Sequence, residues 1–200
     1  MAINLVKGQK IDLTKGNKGL RHIMAGLGWD EAKQGFKLSN LFGGGGSDFD
    51  CDASVILIRE KTGKAAGKSD LVYFGNLTHS SGAVKHMGDN LTGAGDGDDE
   101  QIFVDLEKLP AEYSRLVFVV NIYEAAARNQ EFGMIENAFI RLVDNDTGNE
   151  LCRYNLTESY KGCTALIFGE MYKHDGEWKF TAVGAGTNDD GVGQLLKKYC

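Results

Sequence analysis

Short apolar runs separated by glycine-bearing turns limit this chain more than any other feature does. Phe49–Arg59 shows the pattern most cleanly. Phe49, Cys51, Ala53, Val55 and Leu57 fall on one face of an extended chain, and Asp50, Asp52 and Ser54 on the other. Arg115–Tyr123, RLVFVVNIY, is apolar on both faces, as a central strand must be. Ile3–Leu13, interrupted near Gly8, and Arg21–Trp29 read as the first strands, with Ile23, Leu27 and Trp29 as core candidates. Asp70–Leu77 can pair with Phe49–Arg59 across KTGKAAGK, and Gln101–Leu106 places Ile102, Val104 and Leu106 on one face. Two hairpins follow. Met134–Val143 and Glu150–Leu156 join through DNDTGN, and Thr164–Lys173 and Glu177–Ala185 join over HDG.

These runs amount to roughly nine or ten strands. Helical signal is confined to Glu124–Gln130, rich in alanine, and to Asp189–Tyr199, where Leu195, Leu196 and Tyr199 would face inward. Strands and helices do not alternate, which disfavours a parallel sheet. The expected fold is all-β, an antiparallel β-sandwich of two sheets with one or two short helices, in a single domain spanning residues 1–200. With 200 residues and 42% apolar content the chain can bury a core of that size.

A net charge of −6 argues against nucleic acid or an anionic membrane as partner, since both need a basic footprint. No run approaches the roughly 20 apolar residues of a spanning helix, so no membrane insertion is expected. MAINLVKGQKIDL has no apolar core of a secretory signal, and a cytoplasmic location is expected. Cys51, Cys152, Cys163 and Cys200 are scattered without a CxxC pair and read as reduced thiols.

Gly88–Glu100, GDNLTGAGDGDDE, reads as a metal-ion loop. Asp89, Asp96, Asp98, Asp99 and Glu100 lie within it, with no lysine or arginine between them. Two like charges about 5 Å apart repel by roughly 1–3 kcal/mol near a protein surface, and a divalent cation reverses the sign of that term. Gly93, Gly95 and Gly97 let backbone carbonyls turn inward, and Asn90 and Thr92 add neutral oxygens. Calcium takes six to eight oxygens in a flexible cage. Zinc is disfavoured, because the loop has no Cys or His, and magnesium stays open, although it prefers a more hydrated site with few carboxylates. An EF-hand is rejected, since Leu91 and Gly93 occupy ligand positions and the flanks are not helical. A solvated acidic loop without an ion is the plain alternative.

Asp48, Asp50 and Asp52 form a second acidic set, about 7 Å apart in succession on one side of a strand. Beside the glycine loop, Asp50 and Asp52 would complete a cage; otherwise they line a solvent face. DNDTGNE reads as a hairpin turn, and NDDG at Asn188–Gly191 as a cap before the last helix. His79 and His86 flank the acidic loop, and no ligand or catalytic role is assigned to them.

With these residues in view the chain resembles the bacterial TerD family of tellurium-resistance and general-stress proteins. The resemblance rests on LVKGQKIDL, GLGWD ending at Asp30, FDCDASVILI, VYFGNL, GDNLTGAGDGDDEQIFVDL and FGMIENAFIRLVDNDTGNELCRYNL, and it covers nearly the whole chain. Residues 31–48, with glycines at 43–46, are longer than the family pattern, and Cys51 stands where an apolar residue is common. The resemblance implies a β-sandwich that binds calcium, usually as two neighbouring ions. It carries ligand positions over to Asp89, Asn90, Thr92, Gly97, Asp98, Asp99 and Glu100, to Asp50 and Asp52, and to Glu136 and Asn137.

The expectation is therefore a non-enzymatic calcium-binding protein of the stress response. Its ions would order loops at one end of the sandwich for protein partners in a stress-response complex. Two rivals stand beside it. One is a metal-dependent phosphoesterase, for which the sequence offers no clear nucleophile–base pair. The other is a calcium-dependent module for a small ligand.

Overall fold

Two six-stranded sheets pack face to face, as the alternation of apolar residues demands. The computed structural model describes residues 2–31, 49–88 and 97–200. The strands are β1 (Ile3–Leu5), β2 (Lys10–Asp12), β3 (His22–Glu31), β4 (Cys51–Arg59), β5 (Leu71–Val72), β6 (Val84–His86), β7 (Glu100–Asp105), β8 (Tyr113–Ile122), β9 (Ile135–Asp144), β10 (Asn149–Asn155), β11 (Ala165–His174) and β12 (Glu177–Thr187). The first sheet has the order β1-β10-β9-β3-β7-β6 and the second β2-β12-β11-β8-β4-β5. Every pairing is antiparallel except β1 with β10. Two short helices, α1 (Ala125–Arg128) and α2 (Val192–Lys197), complete the fold. No described helix is long and apolar enough to cross a membrane.

The first expected strand divides at Gly8, as its sequence suggested, but its halves join different sheets. Gly8 adopts a positive φ of 79°, and the amide of Gln9 closes a turn on the Val6 carbonyl. The N-terminal segment thus clips both sheets along one side. Leu5 from β1 and Leu13, just after β2, both enter the core between the sheets. Ile23, Leu27 and Trp29 from β3 meet Val55 and Leu57 from β4 and Phe118 from β8 there, as expected.

Strand β4 departs from simple alternation. Asp52, Ser54, Ile56 and Ile58 point away from the sandwich core, yet all are buried. The outer apolar face of β4 and β8, formed by Ile56, Ile58, Val117 and Val119, is covered by Leu195 and Leu196 of α2. A solvent-facing side is therefore ruled out for Asp52 and Ser54. The expected strand Asp70–Leu77 shrinks to β5, because the chain folds back through a bridge between Tyr73 and Asn76. Strand β6 was not anticipated, since three residues are too short a run to show alternation.

Candidate metal centre

The C-terminal ends of β3 and β8 and the N-terminal ends of β4, β7 and β9 meet at one end of the sandwich. That end collects both acidic sets. Glu100 opens β7 with the same inward orientation as Ile102 and Val104, so its carboxylate is driven between the sheets. Opposite it, β5 is too short to cover the edge of β4 at Ala53. Side chains of the first sheet take over that edge. The Ala53 amide donates to Glu100 Oε2 at 2.5 Å, and His86 Nε2 lies 3.1 Å from the Ala53 carbonyl and 3.3 Å from Glu100 Oε2. His86 belongs to this site although no role is assigned to it from sequence. Its place on the same face of β6 as Val84 was the only available sign, in a strand too short to trust.

Asp50 and Asp52 flank Cys51 at the start of β4. Asn121 Nδ2 donates to Asp52 Oδ2 at 3.3 Å, and Arg128 Nη1 approaches Asp50 Oδ2 at 3.7 Å. The Cys51 thiol is pushed well above its usual range by burial first, and then by the charges of Asp52, Glu100, Asp50 and Asp99. Both acidic sets therefore act on one buried point, the proximity that strand order alone could not supply.

Asp98 and Asp99 lie toward the outer face of the first sheet. The Trp29 amide donates to Asp99 Oδ2 at 2.7 Å, and the Asp99 amide donates to the Leu27 carbonyl at 2.8 Å. Burial, with the neighbouring charges of Asp30 and Asp98, outweighs the Trp29 hydrogen bond and lifts the Asp99 pKa to about 6. A carboxylate so disfavoured as an anion is one that a cation would relieve. Both oxygens of Asp98 are engaged by Arg141, with Nε 2.7 Å from Oδ1 and Nη2 2.9 Å from Oδ2. Gly97, with φ 124°, makes the bend that delivers these two aspartates in succession.

Glu136 and Asn137 stand near the start of β9, and Asn137 lines the outer cleft with Arg141. Glu136 is paired in register with Asp30, and Asn137 Nδ2 donates to Asp30 Oδ2 at 2.7 Å. The expected ligands thus share one end of the sandwich without sharing one face. Glu100 lies between the sheets, Asp52 on the outer side of the second sheet beside Asn121, and Asp98 and Asn137 on the outer side of the first. Asp89, Asn90 and Thr92 lie outside the described residues, as does Asp48. Asp30, Arg128 and Arg141 are further members of the site that the sequence did not single out.

The donors suit a hard cation. They are carboxylate and amide oxygens, and the nearest thiol is held protonated by its burial. Among the described residues, no three Asp, Glu, His or Cys side chains already stand close enough to hold an ion by themselves.

Known proteins resemble this chain over its full length. The family described as TerD domain matches residues 1–199. The chain is 54% identical over 200 residues to stress response protein SCP2 of Bacillus subtilis, covering 100% of both. It is 45% identical over 186 residues to tellurium resistance protein TerD of Serratia marcescens, covering 93% of this chain and 91% of that one. A solved structure of a homologue of telluride resistance protein TerD from Streptomyces coelicolor superposes with a TM-score of 0.63 at 19% identity. It covers 87% of this chain and 94% of that one, and it bears on the fold alone.

Proposed function

This chain belongs to the TerD family, and we propose that it is a calcium-binding protein of the bacterial tellurium-resistance and stress response, acting by binding rather than by catalysis. The stress-response role follows from the family and from relatives named for tellurium resistance and stress response. The calcium reading is carried by one observation: Glu100 of the first sheet accepts a hydrogen bond from the Ala53 amide, next to Asp52 on β4 of the second, which brings the two acidic sets to one end of the sandwich. The spread of oxygen donors suits two ions, one near Glu100 and Asp52 and one near Asp99 and Asn137. The ions would tie the two sheets together at this end and order the adjoining surface for a protein partner in the cytoplasm.

A binding role is supported by the state of the histidine at this end. His86 is buried, with Nε2 turned to the Ala53 carbonyl and Glu100, so it has no approach to a solvent-borne substrate. A calcium-dependent small-ligand module is favoured by one feature, a cleft of about 340 Å³ beside Asn137 where Arg153 stacks on Phe139 at 3.6 Å.

Isothermal titration of the metal-stripped chain with calcium chloride tests the proposal. It should give saturable heat, and Asp52→Asn or Asp99→Asn should each weaken binding by about tenfold or more, because ligand charge sets calcium affinity in such sites. A flat titration of the folded wild-type chain would reject the reading.

A further inference from the structure

Asp98 is held differently from the other acidic residues of this end. Its side chain is fully buried in a slot on the outer face of the first sheet. Gly26 forms the floor, and a Cβ there would lie 2.3 Å from the Asp98 carboxyl atoms. Register sets the walls. Gly26 is paired with Arg141 on one side and with Gln101 on the other, and both side chains reach the carboxylate. Gln101 Nε2 donates to Oδ2 at 3.2 Å. The Arg141 guanidinium lies side-on, donating through Nε to Oδ1 and through Nη2 to Oδ2, while Nη1 donates to Glu150 Oε2 at 3.1 Å.

A side-on guanidinium takes a lone pair of each carboxylate oxygen and cancels the charge that would attract a cation. Arginine stays charged at every pH at which the protein is folded, so it cannot yield by losing a proton. It can yield only by moving, and Glu150 already holds one of its nitrogens from the other side.

We propose that Arg141 is the resident counter-ion of this site: it neutralises Asp98 when calcium is absent and is displaced toward Glu150 when calcium binds, so that the Arg141–Asp98 pair sets calcium affinity. This rests on the calcium reading above. The exchange also carries a signal to the surface. Arg141 lines the cleft formed with Trp29, Asp30, Asn137, Phe139 and Arg153, so its displacement changes the charge on the wall of that cleft.

Two measurements on the full chain test this. In calorimetric titration with calcium chloride, Arg141→Gln should bind about tenfold more tightly than wild type, and Arg141→Lys, which keeps the charge without the fork, should fall between them. In wild-type protein, the NMR signal of the Arg141 Nε–H group should move as calcium is added, because its hydrogen bond to Asp98 is lost. If wild type binds calcium but Arg141→Gln binds equally or less well, and the Nε–H signal stays in place, Arg141 is a fixed support of Asp98 and the inference is overturned. Should Arg141→Gln fail to fold, the wild-type signal decides alone. Wild type that takes up no calcium overturns the proposed function itself and this inference with it.

Discussion

Asp70 shows how far a single residue's role can depend on contacts its sequence neighbours do not reveal. It was expected to begin a strand. Instead it sits in a tight turn before β5, fully buried, receiving hydrogen bonds from Arg59 Nε at 2.9 Å, the Tyr113 hydroxyl at 2.7 Å and the Ala66 amide at 2.7 Å. Burial works against its charge, but the bonds from Arg59, Ala66 and Tyr113 win and hold its pKa at about 2. The folded-state pKa lies below the ordinary carboxylate value near 3.9, so the stabilisation is complete above about pH 4 and is lost as pH falls toward 2. Asp70→Asn should cost about 2–4 kcal/mol at neutral pH, since it leaves Arg59 without its buried partner. In urea denaturation followed from pH 7 to pH 2, the gap between variant and wild type should close between pH 4 and 2. A gap independent of pH would show that the ionised form contributes nothing.

At the scale of elements, patterns of alternation were readable wherever a strand has one apolar face or two. The two hairpins, β8 as a central strand and both helices follow the sequence closely, because burial against a neighbouring sheet selects those residue types. Elements that owe their existence to long-range pairing were not readable. Strand β6 has three residues, and β1 and β2 are halves of one apolar run divided between sheets. The burial of Ile56 and Ile58 on β4 depends on the second apolar layer that α2 completes, some 140 residues away in sequence. This layer makes α2 a structural necessity. Leu195→Ala should destabilise the fold by about 2–4 kcal/mol, because the side chain is wholly buried against a rigid sheet that cannot close around the cavity. Thermal unfolding would check this, and a loss below about 0.5 kcal/mol would mean that α2 only rests on the sheet.

Across the whole molecule, the acidic end is where sequence and tertiary structure contribute separately. Composition and glycine spacing pointed to Gly88–Glu100 and to Asp50 and Asp52 as acidic sets. Their meeting depends on β4 and β7 lying in opposite sheets with Glu100 bridging to Ala53, a relation that no local pattern carries. The positive partners, Arg141 and Arg128, are not legible in the sequence for the same reason, since each is distant in sequence from the aspartate it faces. Crowding carboxylates at one end of a sandwich weakens the fold there unless a cation joins them. Calcium should therefore act as a stabiliser, by about 2.7 kcal/mol at a hundredfold excess over its dissociation constant.

The most direct test of calcium binding at this end is thermal unfolding of the same metal-stripped preparation in excess calcium chloride and in chelator. The midpoint should be higher in calcium by roughly 5–10 °C for a domain of this size. Superimposable transitions in the two conditions, from a chain shown to be folded in both, would contradict calcium binding there.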